Sequence, residues 1–128
     1  MKVLLVDDSV AIQRSFGALL ATAAGVEIVG YADDLATAVE AIASSTPDLI
    51  VLDAKLRGND RGIDVLRHVR LHEPHIKIVM FSQFNWASMR HTLIKAGALA
   101  YFDKSTEFQQ ARDFIADLSI AQSARSAQ

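Results

Sequence analysis

Four side chains able to do chemistry stand at the ends of short apolar runs. Asp7 and Asp8 close KVLLVDD, Asp53 closes LIVLD, and Lys104 follows AYFD. Runs of this length, rich in Val, Leu and Ile and ended by polar residues, predict strands. If those strands lie parallel and side by side, three carboxylates and one ammonium reach the same edge of a sheet. Like charges at short range raise one another's pKa, so such a cluster demands cations. A divalent metal together with the Lys104 ammonium is the simplest way to neutralise it. One carboxylate is then left to take a phosphoryl group.

The elements that must position these groups are legible from periodicity. The expected strands are Val3 to Val6, Glu27 to Tyr31, Leu49 to Leu52, Ile76 to Phe81 and Leu99 to Phe102. The third and fourth are almost continuously apolar, as strands buried on both faces of a parallel sheet are. Helical spacing marks the segments between them. Ile12, Phe16, Leu19, Leu20 and Ala23 form one apolar stripe; Leu35, Ala38, Val39 and Ile42 form a second. Ile63, Leu66 and Val69 define a third helix, which ends before Pro74. A fourth runs from about Trp86 to Ala96 with Gly97 as its stop. A fifth opens at KSTEF, where Ser105 or Thr106 can cap, and carries Phe108, Ala111, Ile115 and Leu118.

This alternation predicts an α/β domain, a doubly wound five-stranded parallel sheet of order 2-1-3-4-5 with right-handed crossovers. Ligands of such sheets bind beyond the carboxyl ends of the strands, at the switch point between the first and third. Asp7, Asp8 and Asp53 occupy those two ends. The domain is expected over residues 1–121, with 122–128 a short polar tail.

Composition bounds the rest. The 128 residues suffice for one domain with a sizeable core, and 51% hydrophobic with 22% charged content is that of a globular protein. A net charge of −2 argues against nucleic-acid binding by this chain. The absence of cysteine excludes disulfides and thiolate chemistry. The opening apolar run stops at an acidic pair, unlike a secretory leader, and no segment reaches membrane-spanning length. These features together predict a cytoplasmic location.

The pattern as a whole resembles the receiver domain of two-component response regulators, a flavodoxin-like fold, and the likeness spans essentially the entire chain. It rests on Asp7-Asp8, on Asp53 after the third strand, on Ser82 after the fourth, on Tyr101 in the fifth, and on Lys104. The resemblance implies that Asp53 accepts a phosphoryl group from a sensor histidine kinase or phosphotransfer protein. It implies Mg²⁺ as cofactor, held by Asp8 and Asp53 directly, by Asp7 through water, and by the backbone carbonyl of Lys55. Lys104 and Ser82 would act on the phosphoryl oxygens, and Ser82 with Tyr101 would form the switch. The responding surface would comprise the fourth helix, fifth strand and fifth helix, open to an unknown downstream protein or a homodimer. No catalysis is expected beyond the chain's own phosphorylation and dephosphorylation.

The departures from the family pattern carry information. Receivers usually have proline near the fourth position after the acceptor and glycine near the eighth; DAKLRGNDRG instead has Arg57, and Gly62 one position late. This loop is therefore expected to be a residue longer. Ser105 follows the lysine in place of the usual proline, which leaves open a cis Lys104–Ser105 bond. Gln83 stands where receivers normally have a small residue and Phe84 follows it, bulk that predicts restricted access to Asp53. Trp86, Met89 and Arg90 beside Tyr101 are typical of interface centres and mark a candidate partner surface.

Rival readings of the same residues are weaker. Asp7-Asp8-Ser9 serves equally as a turn with an N-cap. His68, His72 and His75 suit an exposed helix face better than zinc, since no return ligand spacing exists. A flavin or nucleotide protein of this fold would need a phosphate-cradling loop after the first strand, where Asp-Asp repels phosphate. A hydrolase working through an aspartyl phosphate usually has a second Asp two residues beyond its nucleophile, and Ser9 stands there. The remaining alternatives are a receiver cut from a longer DNA-binding regulator and a non-phosphorylated docking module.

Overall fold

Each β-branched run becomes a strand and each amphipathic stretch a helix in the structure, a computed structural model that describes residues 1–83 and 87–126. The strands are β1 (Lys2–Val6), β2 (Glu27–Ala32), β3 (Leu49–Leu52), β4 (Lys77–Ser82) and β5 (Ala100–Asp103). The helices are α1 (Val10–Ala21), α2 (Leu35–Ser45), α3 (Gly62–His72), α4 (Ala87–Lys95) and α5 (Phe108–Ser126), with a short 3₁₀ turn at Arg57–Asn59. All strand pairs are parallel and the sheet order is β2-β1-β3-β4-β5. The expected topology is the one observed.

Alternation along the strands divides the core in two. Leu4, Val6, Ile50, Leu52, Ile78 and Met80 face the layer of α2, α3 and α4. Val3, Leu5, Leu49, Val51, Val79 and Phe81 face α1 and α5. On that second side Phe16 stacks on Phe81 at 4.3 Å between ring centroids and meets Phe108 edge-on at 5.1 Å. Burying one aromatic ring of this kind is worth about 3 kcal/mol or more on truncation to alanine.

Helix starts follow local chemistry. Ser9 Oγ accepts from the Ile12 N–H and caps α1. Asp34 caps α2 in a reciprocal box with Thr37. The start of α5 differs from expectation: it begins at Phe108, the Glu107 carbonyl accepts from the Ala111 N–H, and Ser105 lies in the preceding turn. Its end differs too. The boundary drawn at 121 falls inside α5, and the polar residues 122–126 continue the helix, because Ala, Gln and Arg are good helix formers.

Candidate functional site

The parallel register places the site. Val6 pairs with Leu52, so Asp7 and Asp53 follow as neighbours at the ends of adjacent strands. The Asp53 N–H donates to the Val6 carbonyl at 2.9 Å, and the Asp7 N–H to the Ala32 carbonyl at 2.9 Å. On the next two strands Ser82 of β4 pairs with Asp103 of β5, and the Lys104 N–H donates to the Ser82 carbonyl at 3.2 Å. Lys104 reaches back across β4 to the centre. Its Nζ donates to Asp53 Oδ2 at 2.7 Å and to Asp7 Oδ2 at 2.9 Å.

Asp7 and Asp53 are buried, whereas Asp8 is exposed. Burial pushes the Asp7 carboxyl above its usual range, against the pull of the Lys104 and Ser9 hydrogen bonds, while the Asp53 charge pushes it further up. Burial would draw the Lys104 ammonium down, but its bonds to Asp53 and Asp7 prevail and hold it above its ordinary value. Asp7 is also fixed locally: Oδ1 accepts from the Ser9 N–H at 2.8 Å, and its carbonyl accepts from Gln13 Nε2 at 2.8 Å. Asp7-Asp8-Ser9 is therefore both the helix cap and part of the acidic cluster.

The donor set fits a hard divalent cation. One carboxylate oxygen from each of Asp7, Asp8 and Asp53 lies within 4.8 Å of the others. Opposite ligands of an octahedral Mg²⁺ stand about 4.2 Å apart, so a small side-chain rotation closes the set. Asp8 keeps the group open to solvent, as an ion retaining several waters requires. Lys55 lies beside it, with its N–H 3.4 Å from Asp53 Oδ1. The cleft over these groups holds about 420 Å³ and is lined by Asp8, Asp53, Lys55, Gln83, Lys104 and Ser105.

Ser82 is fully buried at the end of β4. Tyr101 is buried as well, at 5% exposure, its hydroxyl 3.8 Å from Met89 Sδ. Burial raises the phenol above its usual pKa, and a hydrogen bond with Ser82 works the other way. Arg90 lies over the ring at 5.2 Å and reaches Glu107 at 4.0 Å. The surface expected of Tyr101 is thus absent in this conformation, because its ring packs inward beneath Arg90. Met89 and Arg90 are partly exposed, and Gln83 stands exposed at the cleft. Phe84 and Trp86 lie outside the described residues.

Two loop expectations are resolved. No described peptide bond is cis, so Lys104–Ser105 is trans. An Asx turn shapes the chain there, with Asp103 Oδ1 accepting from the Ser105 N–H at 2.8 Å. Gly62, one position late in sequence, lies against the backbone of Asp53. Its N–H donates to the Ala54 carbonyl at 2.8 Å, and a Cβ there would overlap the Asp53 carbonyl oxygen. The lateness was visible in sequence; the close approach was not. Among the described residues the acidic cluster alone gathers three metal-ligating groups, and His68 and His72 merely pack ring to ring at 4.6 Å. No described helix is long and apolar enough to cross a membrane.

Comparison with known proteins agrees with the geometry. A family described as the response regulator receiver domain matches residues 3–116. The transcriptional regulatory protein LiaR of Bacillus subtilis is 28% identical over 115 residues, covering 90% of this chain and 54% of that protein. Sporulation initiation phosphotransferase F of the same organism is 26% identical over 114 residues, covering 89% and 90%. The structure of a LuxR-family two-component response regulator from Aurantimonas superposes with a TM-score of 0.85 at 26% identity, covering 94% of this chain and 85% of that one. The chain thus spans about half the length of LiaR, and about a quarter of a related methylesterase from Nocardioides.

Proposed function

The chain belongs to the response regulator receiver domain family, and from that premise we propose that Asp53 is its phosphoacceptor, charged in a Mg²⁺-dependent reaction by a histidine kinase or phosphotransfer protein. The observation that carries this reading is the Lys104 ammonium, bonded at once to Asp53 and Asp7 across β4. A structural lysine does not need two buried carboxylates beside a third, exposed one. A phosphoryl-transfer site does, because charge builds on the transferring oxygens and must be met by fixed cations.

In the proposed step an Asp53 carboxylate oxygen forms a bond to phosphorus in line with the breaking bond to the donor's imidazole nitrogen. Lys104 stays protonated and neutralises the phosphoryl oxygens. Asp8, Asp53, the Lys55 carbonyl and, through water, Asp7 would hold Mg²⁺, which when bound would supply the remaining neutralisation. The Ser82 hydroxyl, turned toward the phosphoryl group, alters its partnership with Tyr101, and the surface of α4, β5 and α5 changes with it. Gln83 at the cleft's rim slows both arrival of the donor and hydrolysis. The likeness to sporulation initiation phosphotransferase F over nearly its whole length supports a role as a phosphoryl carrier. LiaR, of which the chain covers 54%, supports the rival in which the same switch serves a transcription factor.

Intact mass after incubation with Mg²⁺ and a small phosphodonor tests the acceptor. One phosphoryl group should be gained, and none by Asp53→Ala or with chelator present. A folded protein that binds Mg²⁺ and gains nothing would contradict the proposal.

A further inference from the structure

The loop after Asp53 is a small closed hairpin. Leu56 is buried, and the chain then turns through Arg57–Asn59, where Gly58 and Asn59 take positive φ of 68° and 67°. It returns so that Lys55 and Arg61 form an antiparallel bridge. The Leu56 N–H donates to the Asp60 carbonyl at 2.9 Å, and Gly62 closes the base on Ala54. Lys55 therefore sits at the foot of this hairpin, between its tip and the acceptor.

The tip is fastened to the turn between β2 and α2. The Arg57 N–H donates to the Asp33 carbonyl at 2.9 Å. The guanidinium reaches Asp33 Oδ2 at 3.3 Å and Asp34 Oδ2 at 3.0 Å. Asp60 Oδ2 accepts from the N–H of Leu35, the first residue of α2, at 3.0 Å. Hydrogen bonds from Thr37, with Arg57 adding to them, hold the Asp34 carboxyl down to about 2, so it is ionised at neutral pH. A proline near this place stiffens a chain by itself, through its fixed φ. Arg57 has no such stiffness, and a loop longer by one residue has more freedom to lose. An external fastening replaces the missing internal one.

We infer that Arg57, Asp60 and the Asp33–Asp34 turn form a clasp that positions the Lys55 carbonyl, so that a contact remote from the acceptor sets Mg²⁺ affinity. The inference rests on the Mg²⁺-dependent reading above. Arg57 is a positioning residue, acting through the hairpin rather than on the ion. Its sign separates it from ordinary electrostatics: removing a cation near a metal site strengthens metal binding by charge alone, whereas losing a support weakens it.

Calorimetric titration of Mg²⁺ into the full chain tests this, comparing the wild type with Arg57→Met, Arg57→Lys, Asp60→Asn and, as a control on an exposed α3 ion pair, Arg67→Met. Arg57→Met should weaken Mg²⁺ binding roughly threefold to tenfold, at or below the lower edge of what supports directly behind a metal ligand cost, because this support is exposed. Asp60→Asn keeps an oxygen acceptor for the Leu35 N–H and should lose less than Arg57→Met, Arg57→Lys should recover part of the loss, and Arg67→Met should leave affinity unchanged. The deficit should shrink in about 1 M salt, where exposed ion pairs are screened. At saturating Mg²⁺ the phosphorylation rate of Arg57→Met should return to the wild-type value. Equal or tighter Mg²⁺ binding by a folded Arg57→Met would overturn the clasp while leaving the Mg²⁺ reading intact. A wild type that binds no Mg²⁺ would overturn both.

Discussion

Two helices of similar length flank the groove over Ala54, beside Asp53, which Ile63 of α3 and Met89 and Leu93 of α4 line, and they are held very differently. α3 buries Gly62, Val65, Leu66 and Val69, and its first residue lies on the Asp53 backbone. α4 buries Leu93 alone among its described residues. α3 follows a hairpin clasped to α2, whereas α4 rests on β5, the edge strand, with Met89 and Arg90 laid over Tyr101. Local stability follows buried apolar contact, so one side of the site is a fixed frame and the other is the part able to move. A phosphoryl group bonded from both sides would then displace the weaker one. On the proposed reading, that asymmetry would let a charge change at Asp53 act on α4, β5 and α5 rather than on α3.

The largest expected effects lie on the fixed side. Gly62→Ala should prevent stable folding or lower stability by about 3 kcal/mol, since the added carbon meets backbone rather than a yielding side chain. Denaturant unfolding would show this; a neutral outcome would mean that α3 yields as readily as α4. Leu66→Ala should cost about 2–5 kcal/mol in the same assay, and Leu93→Ala should fall at or below the low end of that range. The comparison breaks if their order is reversed.

Charge at the site gives a further handle. Asp7 has a folded pKa above its ordinary 3.8, so it favours folding only while protonated, and that contribution is lost as pH rises through the folded value. At neutral pH Asp7 therefore opposes folding, and Asp7→Asn should raise the thermal midpoint of the metal-free protein while weakening Mg²⁺ binding. Lys104, raised above 10.5, stabilises fully below that pH and ceases to do so as pH climbs through its folded value. A Lys104→Met protein should accordingly differ most from the wild type near neutrality and least at strongly alkaline pH. The smallest effect is expected at the rim. Gln83→Ala should speed loss of the phosphoryl group about twofold, as followed by intact mass, and an unchanged lifetime would remove Gln83 from access control.

The fold and the acidic cluster were legible because they depend on local pattern: β-branched runs, helical spacing, and polar residues at strand ends. Asp7, Asp8, Asp53 and Lys104 converge because a parallel sheet aligns all its carboxyl ends. What sequence left open depends on tertiary packing. The inward position of Tyr101 is set by Met89, Arg90 and Ser82 together, which no spacing rule supplies. The role of Gly62 was hidden because its approach to the Asp53 carbonyl depends on how the hairpin closes through two left-handed positions, Gly58 and Asn59. The clasp at Arg57 joins residues far apart in the chain through an ion pair, and single charges carry no directional pattern. The helical extension past residue 121 was hidden by small polar composition, which suits a helix end as well as a tail.

Hydrogen exchange measured on one sample before and after phosphorylation, with occupancy read by intact mass, tests the asymmetry most directly. Protection should change in α4, β5 and the start of α5 as Asp53 is charged, while α3 and its clasped hairpin keep theirs. Changes spread equally over α3, or confined to it, in a sample shown to carry the phosphoryl group would contradict a fixed frame opposed to a movable one.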